Sequence, residues 1–211
     1  MRQFNSELYF ITDSTGLDEE TFLAKVEEAL SGGVTLLQLR EKEKSTRGYM
    51  DLAEKVHRLT QKYNVPLLID DRLDVALAIG AEGVHLGRED MPVSVARKLA
   101  GEHFIIGATA KTVVQAKEAE KSGADYLGVG AIYPTKTKVK TIITSLETLR
   151  DICNSVSIPV NAIGGLNCEN IGILKGVPIS GICIVSAVMQ AENPCMAAKK
   201  LHEQLKGLRA Q

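Results

Sequence analysis

Charged and glycine-bearing clusters close a series of short apolar runs along this chain, and that spacing restricts the folds open to it. The clusters are QLREK (Gln38 to Lys42), IDDR (Ile69 to Arg72), GRED (Gly87 to Asp90), PTKTK (Pro134 to Lys138), IGG (Ile163 to Gly165) and VS (Val185, Ser186). Eight β-rich runs are visible, at 8–12, 34–40, 66–70, 83–86, 104–109, 126–133, 158–163 and 181–186. Helical patterns separate most of them. Residues 18–31 place Phe22, Leu23, Val26 and Leu30 at helical spacing, and 45–63 carry Tyr49, Leu52, Val56 and Leu59 after Ser45 and Thr46. Thr112 opens 112–121, and Asn193-Pro194 opens 193–206 as a cap followed by a first-turn proline. The third connection, Arg72 to Ala81, has room for two helical turns.

Strand–helix alternation repeated eight times predicts an α/β chain forming one single-domain (β/α)8 TIM barrel over residues 1–211. An open doubly wound sheet is the alternative. It would show a Gly-rich turn after its first strand, and ITDSTGLD has only one glycine. In a closed parallel barrel the polar strand ends converge on one face, where the chemistry of such barrels occurs.

Composition narrows the function classes. The 25 basic and 26 acidic residues nearly cancel, to a net charge of −1, so no electrostatic case exists for nucleic acid or an acidic membrane as partner. The N-terminal MRQFNSELYFITD has no long apolar stretch after a basic start, and no run is long enough for a membrane span. Cys153, Cys168, Cys183 and Cys195 are widely spaced without a CxxC, as expected for reduced thiols in a cytoplasmic protein. Oligomeric state is left open, a homo-oligomer included.

Period-two alternation in the second strand puts Val34, Leu36, Gln38, Arg40 and Lys42 on one face and Thr35, Leu37, Leu39 and Glu41 on the other. With Leu37 and Leu39 packed under helices, Val34 and Leu36 fill the barrel and Gln38, Arg40 and Lys42 climb to its mouth. Two cations and an amide donor on one line suit a polyanion; a solvated strand end is the plain alternative. Asp70, Asp71 and Asp90 follow strands three and four. Paired carboxylates there suit Mg²⁺, a hard cation that takes oxygen ligands and keeps phosphate oxygens and waters. Because neighbouring strand residues face opposite ways, one of Asp70 and Asp71 is expected to ligate. The choice is Asp71, with Asp90, leaving Asp70 near the cation or substrate. A salt bridge to Arg72 or a helix cap is the alternative.

Thr135, Lys136, Thr137 and Lys138 combine hydroxyls, backbone N–H groups and ammonium groups after strand six, a phosphate clamp or else an exposed lysine turn. Gly164-Gly165 ends strand seven, and Val185-Ser186 ends strand eight. Loops after strands seven and eight are the usual phosphate site of such barrels, where glycine admits an anion close to the main chain. A tight structural turn would use the same glycines.

Taken together, QLREK, DDRxDVALAxGAxGVHLGRED, GAT, GxGAIYPTKTK, AIGGL and IVSA resemble the thiamine phosphate synthase family, in register from about Leu8 to Ala187. The resemblance implies the barrel fold and a transferase of thiamine biosynthesis. Its reaction joins 4-amino-2-methyl-5-(diphosphooxymethyl)pyrimidine to a thiazole phosphate, releasing pyrophosphate with Mg²⁺. It implies that Gln38, Arg40, Lys42, Asp70, Thr109 and Lys138 bind the pyrimidine diphosphate, with Arg40, Lys42 and Lys138 catalytic. Asp71 and Asp90 would hold Mg²⁺. Thr135, Lys136, Thr137, Gly165, Val185 and Ser186 would bind the thiazole phosphate. His85 either reaches the pyrimidine or is a core histidine; His57, His103 and His202 are expected at the surface.

Three positions depart from the family pattern: Asp70 where asparagine is usual, Thr109 where serine is usual, and Lys111 where histidine is common. Two rivals follow. A related thiazole tautomerase shares the barrel but needs a base, with a histidine expected where Lys111 stands. A catalytically inactive barrel binding thiamine phosphates is the second, invited by Asp70.

Overall fold

The computed structural model describes residues 4–134 and 142–209, with the Arg209 side chain left out. Eight parallel strands close into a barrel in sequential order, as the alternation predicts. They are β1 (Leu8–Ile11), β2 (Leu36–Leu39), β3 (Leu67–Asp70), β4 (Gly83–Leu86), β5 (Ile105–Ala110), β6 (Tyr126–Gly130), β7 (Val160–Ile163) and β8 (Gly181–Ile184). Closure is made by β1 on β8, with Tyr9 opposite Cys183 and Phe10 opposite Ile184.

The connections are α1 (Glu19–Ser31), α2 (Thr46–Lys62), α3 (Leu73–Ala78), α4 (Val93–Ala100), α5 (Val113–Lys121), α6 (Leu146–Ser155), α7 (Ser186–Met189) and α8 (Pro194–Arg209). A 3-10 turn, Ile171–Leu174, stands after β7. Ser45 and Thr112 cap α2 and α5 by accepting from the backbone N–H of Gly48 and Gln115. Asn193 accepts from Met196 N at 2.8 Å at the start of α8. No helix among the described residues is long and apolar enough to cross a membrane. All four cysteines are free thiols.

Two apolar layers result. The larger lies between strands and helices and takes Leu37 and Leu39 of β2 together with Phe22, Tyr49, Leu52 and Val56 of α1 and α2. The smaller fills the barrel with Tyr9, Leu36, Leu68, Ile105, Tyr126 and Cys183. Val34 was expected inside the barrel and instead belongs to the outer layer. β2 begins only at Leu36, so the strict alternation does not extend back to residue 34.

Room inside the barrel is made by glycine. A Cβ on Gly107 of β5 would stand 2.1 Å from Cζ of Tyr126 and 2.2 Å from its hydroxyl oxygen. The tyrosine ring occupies the place of that missing side chain, and it is fully buried. A Gly107→Ala variant must displace a ring held in a packed interior. Its stability should fall by about 1–3 kcal/mol in urea unfolding, the usual cost of overpacking; an unchanged midpoint would mean that the barrel yields freely at this level.

Candidate active site

The strand ends surround one cavity of about 670 Å³ at the C-terminal mouth of the barrel. Among its walls are Gln38, Arg40, Lys42, Asp70, Asp71, Asp90 and Thr109, with Gly165, Val185 and Ser186 across from them. Every sequence-expected site residue that is described therefore reaches one cavity. Thr135, Lys136, Thr137 and Lys138 lie outside the described residues. On either side of that segment, Ala131 and Ile142 both line the cavity.

On β2, the face carrying Leu36 delivers Gln38 into the barrel, where it is buried. Its Nε2 donates to Asp70 Oδ1 at 2.5 Å, and its Oε1 accepts from the Tyr9 hydroxyl at 2.7 Å. Lys42 Nζ pairs with Asp70 Oδ2 at 2.7 Å and also with Asp71 Oδ2. Arg40 Nε stands 3.9 Å from Asp70 Oδ2.

Asp70 and Asp71 were expected to face opposite ways. They converge on one ammonium group instead. β3 ends at Asp70, and Asp71 takes a left-handed backbone with φ of 61°. That single residue breaks the strand alternation and turns its carboxylate back to Lys42. Arg72 does not pair with either carboxylate here; it binds Asp74 and the Thr46 hydroxyl.

Charge within the cluster is unevenly shared. Burial, then the negative charge of Asp71, raises the Asp70 carboxyl above the ordinary range, against the opposing pull of Lys42. For Asp71 burial acts upward too, but the hydrogen bonds of Lys42 and Asp90 outweigh it and hold it low. Asp90 is raised by burial and by its hydrogen bond and repulsion with Asp71, while its Oδ2 accepts from Gly87 N at 2.7 Å. Burial would lower Lys42; hydrogen bonds and charges from Asp70 and Asp71 overcome it and raise it. The two carboxyls of Asp71 and Asp90 are thus close enough to compete for one proton.

Opposite this cluster, Gly164 and Gly165 adopt φ of 105° and 65°. A Cβ on Gly164 would stand 2.4 Å from Cβ of Ala131, and one on Gly165 would stand 2.7 Å from Cβ of Tyr133. The glycines are required by the fold as well as being exposed to the cavity. Val185 precedes the single turn of α7, which starts at Ser186.

Several cavity residues lay outside the expectations from sequence. Tyr9 lines it from β1, and Lys111, Gln115 and Arg88 reach it from loops and from α5. The alternation applied to β2 would have placed Tyr9 inside if applied to β1. His85 lies inside the barrel rather than in the helix-packed core: Nδ1 is 2.8 Å from the Tyr126 hydroxyl and Nε2 is 3.0 Å from that of Thr109. His57, expected at the surface, is buried with Nε2 3.2 Å from Glu82 Oε1. His202 is half-buried and 3.3 Å from Glu7 Oε2; His103 is exposed as expected.

Fold and site together define a (β/α)8 barrel with a charged cavity at the C-terminal mouth of its strands. Comparison with known proteins narrows the class. The family model described as thiamine monophosphate synthase matches residues 8–188, and the chain belongs to that family. It is 55% identical over 186 residues to thiamine-phosphate synthase 2 of Streptococcus pneumoniae serotype 4, covering 88% of this chain and 89% of the relative. It is 47% identical to thiamine-phosphate synthase of Methanobrevibacter smithii, covering 98% of both chains. The solved structure of thiamine phosphate pyrophosphorylase from Pyrococcus furiosus superposes with a TM-score of 0.88 at 42% identity, covering 96% of each chain. A 3-hexulose-6-phosphate synthase, at 17% identity and a TM-score of 0.73, shares the fold alone.

The ion cluster predicts its own response to mutation. Lys42→Met leaves Asp70 buried beside Asp71 with the Gln38 amide and, among the described residues, the more distant cation of Arg40. Since Lys42 is 42% exposed in its side chain, the cost should be about 1 kcal/mol at neutral pH rather than that of a fully buried pair. Adding Asp70→Asn should recover most of it in urea unfolding. Strict additivity of the two substitutions would show that the charges are not coupled.

Proposed function

We propose that the chain is a thiamine phosphate synthase, a transferase of thiamine biosynthesis. It would condense 4-amino-2-methyl-5-(diphosphooxymethyl)pyrimidine with a thiazole phosphate and release pyrophosphate. The observation that carries this reading is the convergence of Gln38, Arg40, Lys42, Asp70, Asp71, Asp90 and Thr109 on one cavity, in a chain belonging to this family.

The reaction breaks the bond between the pyrimidine methylene carbon and the diphosphate oxygen, and the electron pair leaves with pyrophosphate. The ring amino group can feed density toward the methylene carbon, which favours a dissociative path. The thiazole nitrogen then donates its lone pair to that carbon. It carries no proton, so the step needs no general base. Arg40, Lys42 and Lys138 are assigned to the leaving diphosphate, where cations neutralise charge as it develops. Gln38, Asp70 and Thr109 are assigned to the pyrimidine diphosphate. Thr135, Lys136, Thr137, Gly165, Val185 and Ser186 are assigned to the thiazole phosphate.

Mg²⁺ suits the donor set. Asp71 and Asp90 are hard oxygen donors; burial first, then the hydrogen bond and repulsion with Asp71, raise Asp90, and a divalent cation would relieve that repulsion. Among the described residues no group of three or more His, Cys, Asp or Glu side chains could hold a metal ion. A pair of carboxylates completed by water and substrate phosphate is the usual Mg²⁺ arrangement. When bound there, the ion would supply charge neutralisation to the departing diphosphate.

Pyrophosphate release by purified protein, with both substrates and with or without Mg²⁺, is the direct test. Release requiring both substrates and the metal, with thiamine phosphate formed, is expected. No release from folded protein that still binds thiazole phosphate would shift the assignment to a tautomerase or a binding barrel. Lys138→Ala should lower kcat about 100-fold or more with unchanged unfolding; an unchanged kcat removes Lys138 from the mechanism. Asp71→Asn and Asp90→Asn should each weaken Mn²⁺ binding at least tenfold by electron paramagnetic resonance, and wild-type affinity in both would remove them as ligands.

A further inference from the structure

Cations reach the cavity from two walls, and they are unequally committed. At the end of β2, Lys42 Nζ lies 2.7 Å from Asp70 Oδ2 and also meets Asp71, while Arg40 Nε stands 3.9 Å from Asp70. After β5, with β3 and β4 between, Lys111 lines the same cavity. Its side chain makes no ion pair with a carboxylate among the described residues. Arg88 and Glu89, exposed together on the loop after β4, offset one another in charge.

The alternation of β5 aims Lys111 at the cavity. Ile105 belongs to the plug inside the barrel, Gly107 makes room there for the Tyr126 ring, and Thr109 lines the cavity. Ala108 and Ala110 take the opposite face and pack under the helices. Lys111 continues the inward face, two residues past Thr109 and nearer the mouth. Its backbone is held in place. Gln115 Oε1 accepts from Lys111 N at 2.9 Å, and Gln115 N donates to Thr112 Oγ1 at 3.2 Å, a near-reciprocal cap on the first turn of α5. The ammonium therefore stands on a fixed base, half-buried, and binding an anion would order only its own stem.

Two phosphorylated substrates enter this cavity on the synthase reading, on which the following assignment rests. The described residues assigned to the thiazole phosphate, Gly165, Val185 and Ser186, follow β7 and β8. Those assigned to the diphosphate and its metal run along the ends of β2 to β5 and finish at Thr109. Lys111 closes that second arc, on the strand paired with β4, whose loop carries Asp90. We propose that Lys111 binds the terminal phosphate of the pyrimidine diphosphate from the wall facing Lys42, and that it is the residue by which the site prefers a diphosphate to a monophosphate. A diphosphate can meet cations on both walls at once, whereas a monophosphate meets one. Lys111 brings an uncommitted charge, where Lys42 must divide its own between two carboxylates.

Calorimetric binding of inorganic pyrophosphate and inorganic phosphate to the substrate-free protein, with Mg²⁺ in excess, tests the assignment. Lys111→Gln should weaken pyrophosphate about tenfold or more and phosphate no more than about twofold, the difference being the worth of one charge-assisted hydrogen bond. Lys111→Arg, which keeps the charge, should restore most of the pyrophosphate affinity, and thiazole phosphate should bind all three proteins alike. Wild-type pyrophosphate affinity in Lys111→Gln would overturn the proposal, as would an equal loss for phosphate or no pyrophosphate binding by the wild-type protein. A loss confined to thiazole phosphate would also overturn it and would move Lys111 to the other substrate. Because binding is read without turnover, the two readings separate. A protein that forms no thiamine phosphate yet loses pyrophosphate affinity in Lys111→Gln fails the synthase reading and keeps the diphosphate site. An active synthase whose Lys111→Gln variant binds pyrophosphate normally does the reverse.

Discussion

Closure of the sheet by β1 on β8 is the constraint on which the remaining structure depends. With Leu8 opposite Ile182 and Tyr9 opposite Cys183, no strand edge among the described residues is left unpaired. Because all eight strands are parallel, closure sends every strand end with the same polarity to the same mouth. Residues as distant in sequence as Gln38, Asp90 and Ser186 meet around one cavity for that reason alone. Closure also brings Tyr9 within 2.8 Å of Tyr126, 117 positions later.

Along β2, β3 and β5 the interior changes from apolar to polar towards the mouth. Leu36 is followed inward by Gln38, Leu68 by Asp70, and Ile105 by Gly107 and then Thr109. Leu36, Leu68 and Ile105 form the plug with Tyr9, Tyr126 and Cys183. The polar layer rests directly on it. Burying Gln38 and Asp70 without partners would be costly, and the fold offsets that cost by bonding them to one another, to Tyr9 and to Lys42. The two tyrosines serve both layers, their rings in the plug and their hydroxyls in the polar network.

Much of this was legible in the sequence because the two faces of each strand differ in chemistry. In β2 the alternation separates Leu37 and Leu39 from Leu36 and Gln38, and the structure follows it. It fails where the backbone leaves the strand. Val34 precedes β2, and Asp71 has a left-handed φ of 61° that no alternation rule anticipates. Partners distant in sequence were equally hidden. His57 sits on a helix pattern that reads as solvent-facing, yet it is buried, with Glu82, 25 residues on, 3.2 Å away. Tyr9 and Tyr126 look like ordinary strand aromatics until closure sets their hydroxyls together. What local pattern carries is which face a residue takes; what it omits is what waits on the other side of the barrel.

The Asp70 carboxylate is the sharpest instance of that omission. In sequence it adds negative charge where an anionic substrate is expected, an awkward neighbour for a diphosphate. In the structure its two oxygens are already engaged, Oδ1 by Gln38 and Oδ2 by Lys42. The same ammonium also serves Asp71, so one cation is divided between two carboxylates. Lys42 therefore has less charge to offer an incoming anion than its position at the mouth suggests. On the proposed synthase reading, a diphosphate here would either draw Lys42 from Asp71 or be met by additional positive charge. The pairing of Asp71 with Asp90 concentrates negative charge at the place where such a cation would relieve both repulsions at once.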